Sequence, residues 1–357
     1  MQTISLAALL PQLETSGILK ALIVAHRYLA ELKGIAKTMP NQAILLSTLS
    51  LQEAQDSSEI ENIITTQDAL FKYRLQADVH DVAAKEVSNY ADGLSVGYQR
   101  VREHGLLTLN SILAIQETLE SNRAGFRKVP GTVLRNDKTG QVVYEPPSPE
   151  QIPSLMGNLE QILHDGCVQL DPLVRMAIIH HQFETIHPFY DGNGRTGRII
   201  NILYLVKEGL LDAPVLYLSR YINHTKTDYY RLLQEVRDTG NWENWVIYIV
   251  RGVGLTAKHT ITLIEGIRRL LQQQKHHIRD NHRFYSQDLI NNIFRHPYTK
   301  VQFLEHDLNV SRATATRYLD ALAVDGVLEK HRLGRENYYL NKALVDLLFN
   351  IPKIETA

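Results

Sequence analysis

HPFYDGNGRTGR, residues 187–198, packs three glycines, two arginines, a histidine and an aspartate into one short stretch. Its GNGRTG portion also matches G-x-G-x-x-G, a dinucleotide fingerprint that has meaning only after a β-strand and inside a βαβ unit. The preceding segment, DPLVRMAIIHHQFETI (171–186), instead carries Asp171 as an N-cap and Pro172 as a first helical residue. A phosphate loop of the Walker type fails as well, because Arg198 stands where Lys-Ser or Lys-Thr is required. The spacing therefore predicts helix, a turn at Pro188, and a new helix starting near Gly194. This places the glycines at a helix N-terminus, where unpaired N–H groups and the positive dipole end bind phosphate. Missing Cβ atoms let the backbone close on an anion. Arg195 and Arg198 can grip further phosphate oxygens, Asp191 is a hard oxygen ligand for Mg²⁺, and His187 can take a proton from an attacking hydroxyl.

The rest of the chain sets bounds on that reading. Its 357 residues have room for two or three domains, and 44% hydrophobic with 22% charged residues is ordinary for a soluble globular protein. A formal net charge of −1 supplies no overall field towards nucleic acid or an anionic membrane. One cysteine, Cys167, forms no internal disulfide and is expected to be an inert buried thiol in a reducing compartment. No secretory signal or membrane-length apolar run is visible, so a cytoplasmic protein without a membrane span is expected.

Apolar periodicity predicts a mainly α chain. ALIVAHRYLAELKG (21–34) reads as a helix ended by Gly34, residues 81–104 and 108–121 as two more, and Ser148–Pro149 as the start of a helix stopped at Gly166. Ser50 and Glu53 form a capping-box pattern expected to open a short helix through SSEIENI. GTVLRNDKTGQVVYEPP (131–147) alternates about an Asp-Lys-Thr-Gly turn and predicts a β-hairpin, which must pack on something or act as a flap. Residues 241–281 form a long amphipathic stretch. From Phe284 the order becomes helix, helix, turn, helix and two short strands, a winged helix-turn-helix pattern.

With these residues in view, the stretch resembles the Fic family motif, H-x-F-x-[D/E]-G-N-G-R-x-x-R, at every defined position. Known Fic proteins mostly transfer AMP from ATP to a protein hydroxyl. The resemblance implies His187 as general base, Asp191 as the Mg²⁺ ligand, and Gly192, Asn193 and Gly194 as the anion cradle. It also implies Arg195 and Arg198 as clamps on the outer phosphates and Phe189 as the anchor of the loop. Implied ATP contacts run through Thr196 and Gly197 and include Glu61 and, over the adenine, Tyr230 and less surely Tyr229. Doc kinases carry Lys where this chain has Gly194, which favours AMP transfer over phosphorylation. Hairpin 131–145 takes the place of the family's flap, on which a protein target docks as an added strand.

A second motif suggests a brake. SSEIEN, Ser57 to Asn62, fits the family's inhibitory pattern [S/T]-x-x-x-E-[G/N]. In such proteins the glutamate pairs with the second arginine, which implies Glu61 against Arg198 bidentately, repelling a γ-phosphate. The domains expected are an N-terminal helical region, 1–110, with an inhibitory helix at about 50–64, a Fic catalytic domain, 111–281, and a winged helix domain, 282–357.

Other readings stay open at this level. His180 and His181 are expected to be structural rather than a metal pair, since no H-E-x-x-H pattern accompanies them. The winged unit carries nine basic and nine acidic residues over 284–357, so Arg312, Arg317, Lys330, Arg332 and Arg335 do not make it a basic domain. DNA and protein recognition, self-modification and a homodimer all remain open. So do AMP removal from a modified protein and a regulator that only senses nucleotide.

Overall fold

Helices run through almost all of the computed structural model, which describes residues 3–75, 80–135, 139–166, 168–333 and 336–349. The amino-terminal part holds α1 (Leu6–Leu13), α2 (Ser16–Lys37), α3 (Gln42–Ile60), α4 (Gln67–Leu75), α5 (Val82–His104) and α6 (Leu109–Glu120). A hairpin of β1 (Leu134–Arg135) and β2 (Val142–Tyr144) leads into α7 (Ile152–His164), α8 (Pro172–Ile186) and α9 (Asn193–Lys207). Next come α10 (Ser219–His224), α11 (Lys226–Thr239) and the long α12 (Glu243–Asn281). The carboxy-terminal part has α13 (Gln287–Arg295), β3 (Tyr298–Lys300), α14 (Val301–Leu308), α15 (Arg312–Val324), β4 (Glu329–Leu333), β5 (Glu336–Leu340) and α16 (Lys342–Phe349).

Local chemistry sets several of these boundaries. Thr15, Asn41, Asp81, Thr108, Asp171, Ser286 and Ser311 each accept a backbone N–H at the start of the helix that follows. Every residue of α8 from Leu173 to Ile186 is buried, so this helix is the axis about which the others pack. α2 lies along α12 where Ala25 meets Gly254; a Cβ on that glycine would come within 3.2 Å of the Ala25 Cα. The buried side chains form one continuous cluster from Leu6 to Leu348.

Several sequence expectations need correction. The helix expected through SSEIENI starts at Gln42 behind its N-cap Asn41, not at Ser50, ends at Ile60 rather than near 64, and holds Glu53 mid-helix with its carboxyl turned inward. A polar triplet mimicked a cap there, and buried packing carries the helix through it. α2 likewise runs past Gly34 to Lys37. β3 was not anticipated; it joins the β4–β5 hairpin to give an antiparallel sheet in the order β3–β5–β4. Nor was α16, whose Leu347 packs on Gly266 of α12. Residue 110 lies inside α6, and Cys167, Arg335 and residues 136–138 of the expected 131–147 hairpin lie outside the described residues.

The carboxy-terminal part docks directly on the amino-terminal helices. Phe71 of α4 stacks on Tyr298 of β3 at 4.5 Å, and Lys300 donates to the Leu75 carbonyl at 2.9 Å. Among the described residues no single helix is long and apolar enough to cross a membrane.

Candidate active site

The α8–α9 turn holds the signature stretch. α8 stops because His187 takes a left-handed conformation, φ 48°, with its N–H closing on the Phe183 carbonyl at 3.0 Å, and Pro188 follows. Phe189 keeps this turn in place, fully buried against Phe126 and Phe183. Asn193 adds a staple. Its side chain accepts from the Phe189 N–H and donates to the Phe189 carbonyl, both at 2.9 Å. The sequence reading placed Asn193 in the anion cradle; its side-chain amide is engaged by the loop, which leaves its backbone N–H as the group it could offer an anion.

Gly192 precedes α9 with φ 76°, and a Cβ there would strike Glu120 and Leu119. Gly194 is tighter still. A Cβ on it would collide with Glu61 Oε1 and lie 3.0 Å from Arg198 Nη1. The carboxylate of Glu61 therefore rests in the space that a glycine leaves at the first turn of α9, where the backbone amides have no intrahelical acceptor. A protein carboxylate thus lies at the stretch that the sequence reading expected to cradle an anion.

Arg198 makes that placement specific. It is buried, donating through Nε to Ser57 Oγ at 2.7 Å and through Nη2 to the Ser57 carbonyl at 2.9 Å and to Glu61 Oε1 at 2.8 Å. The pairing is single rather than bidentate as expected, because Ser57 takes Nε and shares Nη2 with Glu61. Glu61 keeps 34% of its side chain accessible; desolvation of its carboxylate against α9 would raise its pKa, but the charge and hydrogen bond of Arg198, then Arg195 and Lys226, hold it below the usual carboxylate range. Glu61 is the first residue after α3, and Asn62 follows in the left-handed region, φ 62°. That conformation explains a Gly or Asn preference at the last place of the SSEIEN pattern. Lys226 of α11 secures the same end, donating to the Ile60 carbonyl at 2.5 Å.

Arg195 is turned elsewhere. Its guanidinium is buried between Glu86 of α5 at 3.1 Å and Glu120 of α6 at 2.9 Å, with Asp191 at 4.0 Å. Its fork is engaged by these carboxylates rather than aimed into the cradle, because α5 and α6 pack against α9. Asp191 is exposed and accepts from the Gly192 N–H at 2.7 Å. Among the described residues, no group of three or more His, Cys, Asp or Glu is placed to hold a metal ion. A lone exposed carboxylate does suit Mg²⁺ that draws its other ligands from phosphates and water.

His187 is kept neutral. Burial first, then the charges of Arg127 and Arg237, push its pKa down to about 4, against smaller opposing effects of Glu61 and a backbone hydrogen bond with Glu184. Arg127 also holds the turn, donating to the His187 carbonyl at 2.8 Å and, through its N–H, to the Pro188 carbonyl at 2.9 Å. Glu184, one turn earlier, is buried against Gly197, and burial pushes its pKa up to about 7 against the charge of Arg198.

The remaining candidates separate cleanly. His180 bonds Tyr229 Oη at 2.9 Å and stacks on Trp245; His181 bonds the Leu233 carbonyl at 3.1 Å and packs edge-on to Trp242. Tyr229 is core, whereas the ring of Tyr230 is 44% exposed beside it. Thr196 is buried in the first turn of α9. In the hairpin, Tyr144 Oη donates to the Thr185 carbonyl at 3.0 Å and Arg237 lies 3.8 Å over its ring, while Val142 and Val143 stay exposed. Sequence reasoning missed Glu86, Glu120, Arg127 and Lys226, for which local pattern holds no signal. It also missed Glu53, although Glu53, Ser57 and Glu61 recur at helical spacing on one face.

Family models match in consecutive order: the Fic/DOC family N-terminal model over residues 19–99, the Fic/DOC family model over 106–205, and the C-terminal domain of SoFic-like protein adenylyltransferases over 270–344. The chain is 29% identical over 143 residues to the protein adenylyltransferase fic-1 of Caenorhabditis elegans, covering 39% of this chain and 27% of that protein. It thus spans about a quarter of the length of the curated relatives it matches. Among solved structures, a Fic family protein from Desulfovibrio desulfuricans G20 superposes with a TM-score of 0.57 at 22% identity, covering 91% of this chain and 96% of that one. Residues 134–508 of C. elegans Fic-1 superpose with a TM-score of 0.53 at 20% identity, covering 72% and 76%.

Proposed function

Because this chain belongs to the Fic family, we propose that it transfers AMP from ATP to a hydroxyl of a protein and that Glu61 restrains the reaction. The observation that carries this reading is the Glu61 carboxylate, lodged at Gly194 and bonded to Arg198, beside a neutral His187. Triphosphate oxygens would take the place of that carboxylate, on the amides of the first α9 turn and on Arg198. With Glu61 in place, the γ-phosphate meets a like charge and the α-phosphate is held out of line.

In the released state His187 accepts the proton of the target hydroxyl as its oxygen bonds to the α-phosphorus. The bond from that phosphorus to the bridging β-phosphate oxygen breaks, and pyrophosphate leaves. Asp191 would hold Mg²⁺, which neutralises phosphate charge when bound. Tyr230 is read as the ring beside the base. Exposed Val142 and Val143 on the hairpin suit a target strand laid along β2. The carboxy-terminal unit is read as a winged helix with a protein-recognition role, and the cytoplasm as the site of action.

The test is transfer of label to protein from ATP labelled at the α- or the γ-phosphate, comparing wild type with Glu61→Gly. Strong α-label transfer by the variant is expected. Label arriving from the γ-position would overturn the reaction assignment.

A further inference from the structure

We propose that Glu53 is the latch that holds α3 where Glu61 reaches Arg198, making it a positioning residue for the brake; this rests on the inhibitory reading of Glu61 above. Glu53 lies two helical turns before Glu61 and one before Ser57, so the three side chains leave the same face of α3. Ser57 and Glu61 both bond Arg198 of α9, and Ser57 also shares a hydrogen bond with Tyr90. Glu53 bonds to two other elements. It accepts from Tyr90 Oη of α5 at 2.9 Å and from the Ser219 N–H of α10 at 3.1 Å, with a further contact to Ser219 Oγ.

The burial of this group argues against a merely tolerated polar residue. Glu53 is 2% exposed, Tyr90 and Ser219 are fully buried, and both carboxyl oxygens are bonded. A buried carboxyl left without partners costs more than its bonds contribute, so α3 cannot slide without breaking all of them together. Burial also pushes the Glu53 pKa up to about 8, against the hydrogen bonds of Ser219 and Tyr90, which keeps the group neutral and makes it a fixed hydrogen-bonding piece rather than a charge. Arg198 grips α3 through the Ser57 side chain and backbone carbonyl, and Glu53 adds a second anchor one turn earlier. The Arg198 bonds reach Ser57 and Glu61, all at the carboxy-terminal end of the helix, whereas Glu53 fastens the preceding turn.

The segment that carries Ser219 continues into α11, whose Lys226 holds the Ile60 carbonyl. α3 is therefore fastened to α10–α11 at both ends of its inhibitory stretch, through Glu53 and through Ile60. Release of the brake then requires the Glu53 cluster to open, although Glu53 touches neither nucleotide site nor target.

The experiment measures AMP transfer from α-labelled ATP by full-length wild type, Glu61→Gly, Glu53→Ala, Glu53→Gln, and the double variant Tyr90→Phe/Ser219→Ala. Glu53→Ala and the double variant should raise transfer at least about tenfold over wild type. Glu53→Gln, a neutral isostere, should stay close to wild type, and none of the changes should add to the gain of Glu61→Gly. Amide exchange over residues 54–61 should quicken in Glu53→Ala. The double variant leaves Glu53 in place, so it serves if Glu53→Ala fails to fold. Activation by Glu61→Gly with wild-type rates for Glu53→Ala and the double variant overturns the latch. Failure of Glu61→Gly itself to activate overturns the brake reading and the latch with it.

Discussion

Glu61 Oε1 accepts from Arg198 Nη2 at 2.8 Å while lying in the notch left by Gly194. One carboxylate thus occupies both an arginine and a helix N-terminus, the two features that bind a phosphate in the proposed reaction. Competition between them and a nucleotide has measurable consequences.

Glu61 and Arg198 should behave as one unit. Arg198→Ala should stay poorly active, because the phosphate clamp is lost with or without the carboxylate. Adding Glu61→Gly to it should return far less than in wild type, a coupling of roughly 0.5–3 kcal/mol in a double-mutant cycle of transfer rates. Full, independent activation on the Arg198→Ala background would sink the pairing model.

His187 should act as a base over an unusually acidic range. In the Glu61→Gly background, His187→Ala should retain nucleotide binding and lose about 10²–10⁴-fold in transfer rate. The imidazole works only when neutral, and its pKa is pushed down to about 4, so the acid limb of the pH–rate profile should fall well below pH 6.5. Activity lost with an apparent pKa near the ordinary histidine value would contradict the buried, arginine-flanked setting.

Gly194→Ala separates the brake from the cradle. The added methyl meets Glu61 and Arg198, so it displaces the carboxylate, yet it also fills the space a phosphate needs. Unlike Glu61→Gly, it should not activate, and calorimetry should show ATP affinity weakened by about tenfold or more, near 1.4 kcal/mol. Activation by Gly194→Ala would mean that no anion uses this notch.

DNA binding by the carboxy-terminal unit should be weak. Lys330 is paired with Asp320 at 2.6 Å, and over residues 284–357 nine basic residues are matched by nine acidic ones. Full-length protein titrated with duplex DNA at several salt concentrations should show no steep, sequence-dependent binding; a strong salt slope would reverse this.

What the sequence determined by itself is what short-range chemistry encodes. Asp171–Pro172 starts a helix, and Pro188 with the following glycines turns it into the next, because capping and backbone sterics act within a few residues. The residue types of 187–198 likewise carry their chemistry wherever the chain puts them. The resemblance of SSEIEN to the family's inhibitory pattern implied the pairing of Glu61 with Arg198, and one face of one helix does serve both Ser57 and Glu61.

Tertiary structure decided the rest, because which groups meet across distant helices depends on packing that no local pattern records. Arg195 and Arg198 look alike in the sequence, yet α5 and α6 supply carboxylates to the first and α3 supplies Ser57 and Glu61 to the second. Asn193 looks like a cradle residue, and its side chain turns out to be bonded to the Phe189 backbone. Glu53 looks like half of a capping box at Ser50. It became a buried carboxyl between Tyr90 and Ser219 only because α5 and α10, far away in the chain, close over α3.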